Sequence, residues 1–304
     1  MSFSFPVSFE LFPPRSDAAA IALGRTIDRL ASVDPAFFSV TFGAGGSVRD
    51  RSLTVLRYIL EHTQVGAMAH LTCVGSSYAE ANSLVREFLD AGITSFLALR
   101  GDPPADGDGN IGDLASAAEL VQLILRVQQE REPFRQESVI GMPGASRIRG
   151  RNTPVRVAVA AFPLGHPRDA ELGRDLDALL AKQVAGASLA ITQLFWVADD
   201  YLSYVERARA HGVTIDILPG IMPVTKLSQL DRLAEITGVP TPNDLRERLL
   251  GAERPEQAVQ IGASFAAELG ERVLRGGAPG LHLYTFNQHH AVLTMLQQLQ
   301  QRQQ

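Results

Sequence analysis

VGAMAHLTC (residues 65–73), SSYAEANSLVREFLDAG (76–92) and ITSFLAL (93–99) read in turn as strand, helix and strand. The two flanking runs are almost continuously apolar, as parallel strands buried on both faces must be. Between them, Ser77 and Glu80 form a capping box ahead of Leu84, Val85, Phe88 and Leu89, and Gly92 stops the helix. Working outward, six more apolar runs occur at 7–11, 37–42, 155–162, 189–195, 215–218 and 281–286. Helical stripes separate them. Leu53, Leu56, Ile59 and Leu60 follow Ser47, Leu176, Leu179, Leu180 and Val184 precede Gly186, and Leu227, Leu230, Leu233 and Ile236 follow the seventh run. A short helix near 243–250 and a longer one over 256–274 then lead to the eighth. Eight such units predict an α/β fold, the (β/α)8 or TIM barrel, with an extra short helix after strand seven. In that fold the site is built at the C-terminal ends of the strands, and the opposite rim serves stability.

Length and composition agree. About 250 residues is typical of the barrel, so 304 residues leave room for insertions but not for another large domain. One domain is expected over 1–304, with an inserted, arginine-bearing loop at 133–154, a second loop at 101–112 and a polar tail at 297–304, most simply a frayed end of the last helix. A hydrophobic fraction of 45% supplies a core, and a net charge of −5 gives no general attraction to nucleic acid or an acidic membrane. The lone Cys73 excludes an intramolecular disulfide, and without a Cys/His cluster no metal site is expected. No apolar run reaches the roughly 18 residues that span a bilayer, and residues 1–12 lack a basic leader. A soluble cytoplasmic protein is expected.

Polar residues gather at the strand ends. Glu10 sits in SFELFPP (8–14), where burying an anion is costly and the neutral acid is favoured. A general acid needs that property, and a strand-end Glu paired with an arginine would look the same. Thr41 and Phe42 precede the glycines 43, 45 and 46, which allow either close ligand approach or a tight turn. His70 on the third strand is a core histidine or a ligand. Arg100, Gly101 and Asp102 after the fourth place a cation, a hinge and an anion on the rim, as a salt bridge or as a contact to an electron-rich heterocycle. His166 and Gln193 extend the polar ring, the amide of Gln193 suiting a heterocycle edge or neighbouring backbone.

In order and spacing, FELFPPR (9–15), VTFGAGG (40–46), HLTC (70–73), LRGD (99–102), ITQ (191–193), PGIMP (219–223) and LYTFN (283–287) resemble the methylenetetrahydrofolate reductase family, from Ser8 to about Asn287. The resemblance implies bound FAD, reduced by NADH or NADPH, which passes hydride to 5,10-methylenetetrahydrofolate at one shared site in ping-pong order. Residue by residue, it implies Glu10 as the acid that opens the folate ring and Asp102 between flavin and pterin. Flavin contacts map to Thr41, Phe42, His70, Arg100, Gly101, Asp102, Ala115, Phe162, His166, Asp175 and Lys182. Folate contacts map to Asp102, Gln193, Gln229 and Gln288. A small-molecule folate substrate and a homo-oligomer are expected, with no nucleic-acid or membrane partner. Phe162 stands where a tyrosine is common, Leu233 where some bacterial members have a phenylalanine that stacks on substrate, and Gln288 where an arginine can meet the folate tail. The adenosylmethionine-binding regulatory domain of eukaryotic members is expected to be lacking. Another pterin-using barrel enzyme, needing no flavin, and a noncatalytic folate- or flavin-binding homologue are the alternatives.

Overall fold

A computed structural model describes residues 3–42, 46–101, 112–131, 135–138, 146–149, 154–165 and 172–302, with 46–49, 135–138, 146–149 and 172–173 described by backbone alone. In chain order the elements are β1 (Val7–Leu11), α1 (Asp17–Ala31), β2 (Phe37–Val40), α2 (Gly46–His62), β3 (Gly66–Thr72), α3 (Tyr78–Asp90), β4 (Ser95–Leu99) and α4 (Ala117–Arg131). A hairpin of β5 (Arg135–Ser138) and β6 (Ser146–Arg149) comes next, then β7 (Arg156–Ala161), α5 (Leu172–Val184), β8 (Leu189–Thr192) and α6 (Ala198–Ala210). The chain closes with β9 (Asp216–Leu218), β10 (Gly220–Ile221), α7 (Leu227–Thr237), α8 (Asn243–Leu250), α9 (Pro255–Arg275), β11 (Leu281–Tyr284) and α10 (His289–Arg302).

All eight expected strands are present, most of them shorter than their apolar runs, and they pair in parallel in the order β10-β11-β1-β2-β3-β4-β7-β8-β9. The seventh strand is broken. Pro219 has no N–H to give a ladder, and on either side of it β9 pairs with β8 while β10 pairs with β11. The break closes the ring. The Pro219 carbonyl accepts from His282 N at 3.0 Å, and Gly220 N donates to Thr192 Oγ1 at 2.8 Å. The Tyr284 hydroxyl donates to the Thr192 carbonyl at 2.8 Å, so Thr192 ties both sides of the seam.

Alternate residues on each strand face opposite ways. The outward set, including Phe9, Phe38, Ala69, Phe96, Val159 and Leu283, joins Leu23, Ile27, Val85, Phe88, Ile124 and Met295 of the helices in one buried layer. Fully burying each large side chain there contributes about 1.5–3 kcal/mol. The inward set forms a smaller apolar plug of Met68, Leu97, Ala158, Ile191 and Leu218, confined to one side of the barrel. The helix signals hold: Ser77 and Glu80 make the capping box at α3, and the short and long helices after β10 are α8 and α9.

Two expectations need correction. Within 133–154, Arg135–Ser138 pairs antiparallel with Ser146–Arg149, so the segment holds a two-stranded sheet where a plain loop was expected. Residues 297–302 continue α10 with Leu299 fully buried. The spacing of Val292, Met295, Leu296 and Leu299 is that of an amphipathic helix, and this stripe holds the glutamines in place. Most of the loop expected at 101–112 lies outside the described residues.

A Cβ on Gly220 would lie 2.3 Å from the Thr192 carbonyl oxygen and 2.7 Å from the Tyr284 ring. Gly220→Ala is therefore expected to lower stability by about 1–3 kcal/mol, measured by urea denaturation. An unchanged midpoint would show that the seam yields without cost.

Candidate active site

On the side of the barrel opposite the apolar plug, the inward positions are polar. Ser8, Glu10, Ser39, His70 and His282 are all buried, and they meet because β1 is in register with both β2 and β11: Glu10 lies beside Ser39 and beside Tyr284. The ring of His282 is held by Ser8 Oγ, 2.8 Å from Nδ1, by Ser39 Oγ, 3.5 Å from Nε2, and by Phe37, whose ring stacks at 5.7 Å. Its Nε2 faces Glu10 Oε2 at 3.8 Å. On the other side, His70 Nε2 stands 3.7 Å from the same oxygen. Thr285 Oγ1 donates to the Glu10 carbonyl at 2.7 Å, which fixes the backbone at the acid.

The surroundings of Glu10 correct the expected ones. Phe9 and Leu11 are adjacent in sequence but point outward into the helix layer, so the carboxyl is buried among imidazoles and hydroxyls. The spacing to His70 is that of an ion pair, yet the imidazole is neutral near pH 7. Burial pushes its pKa down to about 4, with Glu10 opposing and His282 adding to the shift. Nε2 of His70 makes no hydrogen bond among the described residues, which leaves a buried polar atom aimed at the acid. Tyr284 is held well above its ordinary value by burial first and by Glu10 second, so its hydroxyl keeps its proton.

A second group lies where β4 and β7 meet α5. Lys182 Nζ donates to the Ala160 carbonyl at 2.9 Å. Burial pushes the ammonium down to about 8, with Asp175 opposing and Arg100 adding to the shift. Asp175 and Lys182 are two helical turns apart on one face of α5, and Asp175 is buried. Arg100 is exposed. Gly101 follows at φ +88, where a Cβ would come within 2.5 Å of Val74 Cγ1, so only glycine fits beside that cation.

The remaining expected residues are dispersed along the rim. Thr41 N bonds the Leu11 carbonyl at 3.0 Å, while the ring of Phe42 packs edge-on against Phe88 at 6.0 Å in the outer layer. Ala115 donates its N–H to Glu119 at 2.8 Å, and Phe162 is half-buried just after β7. Gln193 Oε1 accepts from Leu194 N at 2.9 Å, and Gln229 Oε1 accepts from Thr225 N at 3.0 Å, leaving the amide NH2 group of each with no hydrogen bond among the described residues. Gln288 is exposed ahead of α10. Asp102 and His166 lie outside the described residues. Ser8, Ser39, His282 and Tyr284 were not singled out from the sequence. Their signal is the two-residue spacing Ser8/Glu10 and His282/Tyr284, polar pairs on one face of otherwise apolar strands.

Among the described residues no cluster of His, Cys, Asp and Glu suits a metal, and no helix is long and apolar enough to cross a membrane. Residues 2–300 match the family model for methylenetetrahydrofolate reductase. The chain belongs to this family. It is 35% identical to 5,10-methylenetetrahydrofolate reductase of Pectobacterium carotovorum subsp. carotovorum over 92% of this chain and 85% of that one. It is 31% identical to methylenetetrahydrofolate reductase (NADH) 1 of Arabidopsis thaliana over 96% of this chain but 48% of that one. A Clostridium thermocellum protein described as binding two copies of 5-methyl-5,6,7,8-tetrahydrofolic acid shares the fold, with a TM-score of 0.63 at 15% identity over 98% of this chain and 96% of that one. The chain is thus an enzyme of an oxidoreductase family on an α/β barrel.

The depressed pKa of His70 gives a stability test. Between about 4, its folded value, and 6.5, its ordinary one, the unfolded chain binds more protons, so stability rises with pH through this window and levels off above it. From pH 7 down to about 4.5, wild type should lose roughly 2 kcal/mol more than His70→Gln, read by denaturant titration at each pH. Parallel losses would place the buried titration elsewhere.

Proposed function

We propose that this chain reduces 5,10-methylenetetrahydrofolate to 5-methyltetrahydrofolate with FAD as cofactor, NADH or NADPH as reductant and Glu10 as the general acid. The observation that supports it most is the buried chain Ser8–His282–Glu10, with a neutral His70 on the acid's other side, in a barrel of this family. A carboxyl held between two imidazoles below the rim is placed to deliver a proton to a substrate nitrogen.

The residues also fit the cofactor. Lys182 is a half-buried cation whose protonation is disfavoured by desolvation and by Arg100, and a phosphate group placed there would offset both effects. Gly101 permits close approach beside Arg100. Asp175, Lys182, Arg100, Gly101 and Phe162, together with Thr41, Phe42, Ala115, Asp102 and His166, are proposed to hold FAD. When bound, FAD accepts hydride from NADH or NADPH and returns it to the folate methylene carbon, so the kinetics are ping-pong. Asp102, Gln193, Gln229 and Gln288 are proposed to bind the folate, the glutamines through amide edges that both donate and accept.

Glu10 acts in the folate half of the reaction. Ring opening breaks the bond between the methylene carbon and N10, and the amine that leaves needs a proton. His282 is oriented by Ser8 so that one imidazole nitrogen always faces the carboxyl, which lets it hold the carboxyl's position and accept or return a proton there. His70, being neutral, places no positive charge beside the carboxyl of Glu10. The lone, buried thiol of Cys73 suits the reducing cytoplasm in which we place the enzyme.

Two outcomes test this reading. Purified protein should hold FAD noncovalently, and its yellow colour should bleach anaerobically with NADH or NADPH and return on addition of methylenetetrahydrofolate. Colourless protein that fails to take up added FAD would refute the cofactor. In stopped flow, Glu10→Gln should slow the folate half reaction by about 10² to 10⁴ while flavin reduction stays within about tenfold. If the folate step survives nearly intact, Glu10 is not the acid.

A further inference from the structure

In the helical shell, outside the strand ring and its polar cluster, α1 packs against α10 and a cleft of about 690 Å³ lies between them. That volume is within the range of small-molecule sites. The charged lining is one-sided: Arg25, Asp28 and Arg29 come from α1, and His289 and His290 from α10, so two guanidinium groups and two imidazoles share the space with one carboxylate. Arg25 and Arg29 stand one turn apart on a single face of α1, both exposed. Neither side chain makes a hydrogen bond or an ion pair among the described residues, and Asp28 stands within ion-pair distance of neither. The N-terminal end of α10, where a helix dipole is positive, has no acidic residue in its first turn. On a chain whose net charge is −5, this is a local field of the opposite sign.

The two histidines are held in this field. Their rings lie 4.2 Å apart with 35° between planes. Thr26 Oγ1 donates to the Asn287 carbonyl at 3.2 Å, so at 3.3 Å from His289 Nδ1 it accepts the hydrogen of that nitrogen. The imidazole is thereby oriented, and it takes its second proton at Nε2. Burial lowers its pKa, His290 and Arg29 lower it further, and no acid opposes them. Basic groups from two helices are thus brought together with their repulsion uncompensated, an arrangement that a bound negative charge would reverse.

We propose that the α1–α10 cleft binds a dianionic group, gripped by the forks of Arg25 and Arg29 and by the imidazoles of His289 and His290. Guanidinium forks match the paired oxygens of a phosphate or a carboxylate. That chemistry has two sources: a phosphate group on a free metabolite, or carboxylates trailing out of the barrel past Gln288, the exposed residue that precedes His289. The site forms without the proposed reaction, so it is tested by binding and not by turnover.

Isothermal titration calorimetry on the FAD-loaded enzyme, at constant ionic strength in chloride, decides it with two probes, inorganic phosphate and a γ-linked triglutamate peptide. At least one should bind saturably at one site per chain, and Arg25→Gln/Arg29→Gln should weaken it at least about tenfold. Phosphate alone identifies a free metabolite as the source, triglutamate alone a carboxylate tail, and competition between the two a site open to both. Nuclear magnetic resonance of labelled histidine gives a second readout: saturation with the bound probe should raise the pKa of His289 in wild type and leave it unmoved in the double variant. Arg25→Lys/Arg29→Lys keeps the charges, removes the forks and should bind with intermediate affinity, which decides the matter if the glutamine variant fails to fold. Binding no tighter than that of chloride, equal affinity in the variants, or a His289 pKa that stays put on saturation overturns the proposal.

Discussion

Closure of the barrel at Pro219 is the constraint from which the rest follows. A parallel sheet becomes a ring only if its last strand meets its first, and here one strand does so by splitting: three residues pair on one side and two on the other. The missing ladder bond is replaced by the side chain of Thr192 on Gly220 N, and the Thr192 carbonyl takes the Tyr284 hydroxyl. Because β11 pairs with both β10 and β1, the same closure sets the height of His282 and Tyr284 against Glu10. A seam displaced by one residue would turn His282 out of the barrel and dissolve the polar cluster.

That cluster costs free energy to bury, and its hydrogen bonds offset the cost. Ser8, Ser39 and Phe37 hold one imidazole, while a nitrogen of the other has no hydrogen bond among the described residues. The apolar plug on the opposite side excludes water without competing for the polar groups. The two groups meet on β3, which gives Met68 to the plug and His70 to the cluster, and at Phe37, which packs against the plug and stacks on His282.

Most of the fold was legible in the sequence because eight strands buried on both faces leave eight apolar runs. The break at Pro219 was not, since Gly220 and Ile221 are too short to register as a run. The β5–β6 hairpin was missed because RQES and SRIR have too few apolar residues for a two-residue period to show. The last turns of α10 were read from their glutamines as a frayed helix end, whereas the buried Leu299 keeps them in the helix as far as Arg302. Of the site, Glu10 and His70 were legible as polar residues at strand positions and do come together. The reading of Glu10's environment failed for a geometric reason: residues adjacent in sequence on a strand lie on opposite faces, so Phe9 and Leu11 say nothing about what the carboxyl touches. Its true neighbours come from β3 and β11, about 60 and 270 residues away along the chain, and only the closed ring brings them near.

The alternation of faces has a consequence for how such a sequence can change. On β1, Val7, Phe9 and Leu11 belong to the helix-facing layer while Ser8 and Glu10 belong to the cluster. Two messages are therefore interleaved letter by letter on one strand, one answering to packing and the other to chemistry. Selection on substrate can rewrite the even-numbered letters of β1 while the odd-numbered ones keep the barrel folded, and drift in the helical shell leaves the chemistry untouched. A lineage built this way can alter its reaction without first losing its scaffold.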